Sequence, residues 1–144
     1  MLLFLSFLLF LIFIGISFIH FYWVFGGKWG LSAVLPTKDA ESEPTNPGVI
    51  LTLIVALGLL MFGLFVGAFG GFFSRLLEVL PVFFTKYGMW IISTIFFVRA
   101  IGEFNYVGFF KKIKHSDFAK WDTKLFSPLC LLISILGVLI IFLA

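Results

Sequence analysis

Charge is scarce in this chain, and its scarcity removes the soluble classes first. Only 12% of the 144 residues are Asp, Glu, Lys or Arg, against about 25% in an ordinary soluble domain; a water-exposed surface cannot be covered with so few. One cysteine, Cys130, excludes an intramolecular disulfide and any cysteine-based zinc cluster. The two histidines, His20 and His115, belong to no spaced ligand set, so neither a metal centre nor haem, nor any other cofactor, is expected. GGKWG at 26–30 lacks the Walker spacing and a preceding strand and reads as a helix terminus, not a phosphate loop. The first 25 residues lack a basic flank and a small-x-small cleavage site, which points to a retained helix instead of a secretion signal.

What remains is apolar. Hydrophobic residues make up 62% of the chain, with 22 phenylalanines, more than a core of this size encloses. Lipid has to be the other solvent, and the expected fold is all-α: one integral membrane domain over 1–144, a bundle of four transmembrane helices. Three spans, 2–25, 49–73 and 126–144, each carry no Asp, Glu, Lys or Arg and approach or exceed the roughly 20 residues that cross a bilayer core. Asn46-Pro47 supplies a start signal for the second, and Ser127-Pro128 stands near the start of the last. The third span has two windows, 81–98 and 87–110. The later one is preferred because Lys86-Tyr87 and Phe109-Phe110-Lys111-Lys112 make interfacial anchors at its two ends.

Direction follows from basic residues. Lys28, Lys38, Lys111, Lys112, Lys114, Lys120 and Lys124 fall in the two connections on one side, and Arg75 and Lys86 on the other. The lysine-rich side is expected to be cytoplasmic, with both termini outside a bacterial plasma membrane. There, 36–48 carries three prolines and mixed charge and reads as a flexible solvated loop. The segment 111–125 interleaves aromatics with lysines and reads as a basic interfacial loop, with Lys111, Lys112, Lys114 and Lys120 on anionic headgroups; that is a membrane-surface pattern and not a nucleic-acid groove. Asp122-Thr123 reads as a turn into the last helix. Opposite, 74–80 reads as a short interfacial helix stopped at Pro81.

Apolar helices in lipid associate where small residues let backbones approach. Gly63, Gly67 and Gly71 form such a stripe in the second span, and Ser127, Cys130, Ser134 and Gly137 in the fourth. Both are expected to face protein within one chain, with a homodimer seam as the alternative, leaving the phenylalanines to lipid.

Chemistry concentrates near the lysine-rich side. In the 87–110 window Arg99 and Glu103 stand four apart on one helical face, and each neutralises the other in a medium where a central arginine costs about 2.5–3.5 kcal/mol. Measured from that side, His20 and Glu103 lie at similar depth, about 9 and 10 Å, with Trp23, Asn105, Tyr106 and Thr52 in the same half. The expected site is a polar pocket formed by His20, Trp23, Arg99, Glu103, Asn105 and Tyr106, open to the cytoplasmic leaflet. Arg99 would clamp an anionic lipid headgroup or small amphiphile, and His20 would exchange a proton with Glu103. An accessory protein, whose polar cluster only braces the helices, is the second reading. An intramembrane enzyme is third, because no nucleophile–base pair or metal set is visible. An enclosed cavity around Arg99 would separate a ligand site from a brace.

Four segments in order also carry a likeness: HFYWVFGGKWG with AVLPT (20–37), TLIVALGLL (52–60), RAIGEFNYVGFFKKI (99–113) and DTKLFSPLC (122–130). Together they resemble an uncharacterised family of small bacterial membrane proteins, grouped only as a domain of unknown function. The resemblance implies a bacterial four-span membrane protein and brings no activity or site residue with it.

Overall fold

The computed structural model describes residues 1–35 and 48–144, and among them every regular element is helical. The loop expected over 36–48 lies outside the described residues except for Gly48. Four long helices carry the architecture: α1 (Leu2–Val24), α3 (Val49–Phe69), α5 (Val82–Ile101) and α7 (Ser127–Leu143). Short helices α2 (Leu31–Val34), α4 (Ser74–Val79) and α6 (Asp117–Trp121) fill the connections. By length and composition α1, α3, α5 and the run from Asp117 to Leu143 are each able to cross a membrane.

The third helix occupies Val82–Ile101 and not 87–110. Pro81 holds Leu80 in an extended conformation, ψ 143°, so α4 cannot run on, and a new helix starts directly after the proline. At the other end Gly102 takes φ +84° and breaks the hydrogen-bond ladder. Aromatic and lysine anchors favoured the later window, but backbone stops decide where a helix ends. The fourth helix, in turn, begins earlier than 126. Ser116 caps α6 by accepting from Ala119 N–H at 3.1 Å, and α6 passes through a π-helical turn, Asp122–Phe126, into α7. Pro128 has no N–H to give the preceding turn and its ring crowds the carbonyl four residues back, and the widened turn absorbs both.

Helices α1 and α3 form one hairpin and α5 and α7 the other, with α1 against α7 joining the two. The contact surfaces use small residues. A side chain at Gly63 would meet Phe13 and Ile14 of α1 at 3.2 Å, and one at Gly67 would meet Phe10 and Phe73 at 3.1–3.3 Å; one at Gly137 would collide with Ser93 of α5. Gly71, by contrast, lies beyond α3 in open space. Ser17 donates to Ala56 O at 2.8 Å and ties α1 to α3.

The phenylalanines do not all face outward. Phe13 is fully buried at the centre, edge-on to Phe62 and Phe96 at 5.9 and 5.3 Å, within a core that includes Leu9, Val66, Met89, Ile133 and Ile140. Phe4, Phe18, Phe83 and Phe142 do lie exposed. Lipid offers a ring no less apolar contact than protein does, so ring placement follows space: the glycine stripes leave grooves, and Phe13 fills one.

Two connections meet at one end, where α2 packs on α6. Lys28 and the basic segment after α5 thus share a face of the bundle, and α4 lies against α3 at the other end.

Candidate functional site

The chain after α5 is a folded loop, not a continuation of the helix. Gly102 and Gly108, at φ +84° and +92°, stack backbone on backbone: a side chain on Gly102 would strike the Val107 carbonyl, and one on Gly108 the Ile101 carbonyl. Phe109 N–H donates to Ala100 O at 2.9 Å, Lys112 N–H to Phe104 O at 3.0 Å and Ile113 N–H to Asn105 O at 3.0 Å. The loop therefore doubles back over the end of α5 and carries Gly108 and Lys111 inward.

Both arrive at Asp122, which is completely buried at the start of the π-helical turn. Lys111 Nζ lies 2.8 Å from Asp122 Oδ2, Gly108 N–H donates to the same oxygen at 2.8 Å, and Ser127 Oγ donates to it at 3.1 Å. Arg99 Nη2 reaches Oδ1 at 3.1 Å. Lys111 also donates to Gly108 O at 3.1 Å and to Thr123 Oγ1 at 2.6 Å, while Thr123 donates to Ala119 O at 3.0 Å. One buried carboxylate thus binds α5, the loop and the α6–α7 run into a single unit. A carboxylate can be taken out of water only with such partners, since the unpaired charge would cost several kcal/mol.

Arg99 is therefore paired with Asp122 and not with Glu103. Glu103 follows the helix stop, is exposed, and makes no side-chain hydrogen bond or ion pair among the described residues. Asn105 is exposed and Tyr106 half-buried, both in the loop. His20 donates through Nδ1 to Ile16 O of its own helix at 2.8 Å, with its ring edge-on to Trp23 at 4.9 Å; Trp23 Nε1 donates to Trp29 O at 2.8 Å. His20 and Arg99 share no hydrogen bond. Thr52 donates back to Gly48 O at 2.9 Å.

Among the headgroup lysines, Lys111 is corrected: it is 3% exposed and serves Asp122, whereas Lys112, Lys114 and Lys120 are exposed, Lys120 at 3.4 Å from Asp117. Sequence reasoning missed Asp122, Gly108 and Ser127. The available signal was Asp122 and Ser127 flanking the helix entry, hidden because Pro128 moved the apparent helix start past the acid.

Two open apolar grooves lie on the surface. One of about 680 Å³ runs along the outer face of α5, and one of about 310 Å³ lies between Phe18, Ile19, Tyr22 and Trp29. Neither is lined by His20, Arg99 or Glu103. No group of three or more metal-ligating side chains occurs among the described residues.

Residues 13–137 match the family described as protein of unknown function, DUF3995. The chain belongs to that family. Four apolar helices in an all-helical fold make this DUF3995 member a multi-pass membrane protein. No curated protein and no solved structure matches the chain.

Proposed function

We propose that this protein binds anionic lipid headgroups at its lysine-rich end, on the cytoplasmic side of the membrane, and that the Arg99–Asp122–Lys111 centre holds that surface in shape. One observation carries the reading: of the basic run, Lys111 alone turns inward, and it satisfies Asp122. The other charges stay outside. Lys112, Lys114 and Lys124 are exposed and make no ion pair among the described residues, and Lys28 joins them at the same end. Each such lysine contributes about 1 kcal/mol of attraction to an anionic leaflet. The six-residue pocket expected between α1 and α5 is not part of this reading, because His20 and Glu103 have separate surroundings.

The test is binding to nanodiscs or vesicles of graded phosphatidylglycerol content. Lys112→Gln, Lys114→Gln and Lys124→Gln combined should remove most of the preference for anionic over zwitterionic lipid without altering thermal stability. Equal retention of both lipids by the parent protein would reject the proposal.

A second reading is supported by the completeness of the Asp122 shell: an accessory protein whose buried ions only fasten its helices. It predicts no lipid preference.

A further inference from the structure

Helix α5 uses 20 residues, Val82–Ile101, which rise about 30 Å and cross the hydrocarbon core of a bilayer by themselves. The residues that follow therefore start at the boundary with the headgroups. The loop stays near that level because it doubles back: Phe109 N–H donates to Ala100 O, so Phe109 and Phe110 return beside the last turn of α5, where Phe97 and Val98 are exposed.

At the tip of this loop Phe104 takes φ +68°, and among the described residues no other non-glycine has a positive φ. A bulky side chain is sterically disfavoured there, where Gly or Asn would be at ease. Little inside the protein offsets that cost. The Phe104 ring is 54% exposed, and the ring beside it, Phe110 at 6.5 Å between centroids, is 65% exposed. Yet the tip is firmly held: Gly102 and Gly108 close its neck, Lys112 N–H donates to Phe104 O, and Ile113 N–H donates to Asn105 O. The two rings are thus a fixed, outward apolar pair and not a frayed end. Glu103 and Lys112, both exposed, flank them in the chain.

We infer that this loop seats Phe104 and Phe110 in the cytoplasmic leaflet of the bilayer that the protein spans, just below the phosphates, with Lys112 among them. Rings exposed at the end of a span gain by leaving water, and aromatic side chains suit this boundary. The unfavourable backbone at Phe104 is then offset outside the protein. Depth is limited by Glu103 and Lys112, since neither charge can follow the rings into hydrocarbon. Lys112 and the exposed Lys114 favour an anionic leaflet. The inference rests on the headgroup-binding reading for its leaflet and adds an apolar contact to it.

The experiment is electron paramagnetic resonance of the full chain in nanodiscs, of phosphatidylcholine alone and of phosphatidylcholine with phosphatidylglycerol. In a Cys130→Ser background, Phe104→Cys, Phe110→Cys and Lys114→Cys carry a nitroxide one at a time, and accessibility to oxygen against a water-soluble nickel chelate reports depth. Labels at 104 and 110 should lie about 5–10 Å below the phosphates, and the label at 114 should lie in water. Phe104→Gly, which relieves the backbone and removes one ring, should leave the melting temperature in detergent unchanged or raised and move the label at 110 toward water. Two results overturn the inference. One is nickel accessibility at 104 and 110 equal to that at 114, which would leave the rings to a protein partner. The other is a fall in melting temperature on Phe104→Gly with the depth at 110 unchanged, which would make the ring a structural part of the loop. Rings in water with the anionic preference intact remove this inference alone, whereas immersed rings without that preference remove the headgroup reading alone.

Discussion

Lys111 and Asp122, on separate segments of the chain, meet at 2.8 Å in the interior, where neither side chain is more than 1% exposed. The pair lies between the loop that closes α5 and the turn that opens α7, so its integrity and that of the lysine-rich end are one property.

Removal of either member should therefore be costly. Lys111→Met or Asp122→Ala strands buried partners and is expected to destabilise the protein by about 3–5 kcal/mol, read as a large drop in melting temperature in detergent. Glu103→Ala should leave melting almost unchanged, because Glu103 is exposed and without a side-chain partner among the described residues. A Glu103→Ala variant as unstable as Asp122→Ala would restore the Arg99–Glu103 pairing and count against this geometry.

Backbone stacking in the loop makes a second expectation. Gly102→Ala and Gly108→Ala each force a methyl group into a facing backbone carbonyl and should perturb the loop severely. Gly26, at φ +91°, has nothing within 4 Å of its added Cβ. Gly26→Ala should accordingly cost only the conformational penalty, about 1–2 kcal/mol. Similar melting shifts at all three positions would show that crowding between Gly102 and Gly108 contributes nothing.

Interhelical contact is testable at α5 and α7. Gly137→Ala drives a methyl group against Ser93 and should destabilise, and adding Ser93→Gly should recover part of the loss, a coupling readable in a double-mutant cycle. In α3, Gly67→Leu should be destabilising and Gly58→Leu tolerated, since Gly58 has open space beside it. Strict additivity at 93 and 137 would contradict the close approach of the two helices.

Orientation is checked by labelling. In a Cys130→Ser background, a cysteine at Lys112 should be protected from an impermeant thiol reagent in intact cells, and a cysteine at Arg75 should react. The reverse pattern would turn the protein over and move the proposed lipid site to the outer leaflet.

The sequence by itself determined that the protein lives in lipid and is all-helical, because 62% hydrophobic residues in long uncharged runs leave no other way to satisfy the backbone in a bilayer. It also determined where lysines accumulate, and the glycine stripes foretold close contacts at Gly63, Gly67 and Gly137. Helix ends were less legible. Pro81 and Gly102 were visible as residues, but aromatic–lysine anchors pointed elsewhere, and only the folded backbone decided between the two signals. The partner of Arg99 was out of reach in principle. Glu103 is four residues away and Asp122 twenty-three, and spacing along one helix reports only the nearer acid. A loop that folds back through two stacked glycines brings the distant one, together with Lys111, to the guanidinium. Burial then fixes the choice, because a carboxylate withdrawn from water must be matched by donors, while an exposed one such as Glu103 has water and needs none.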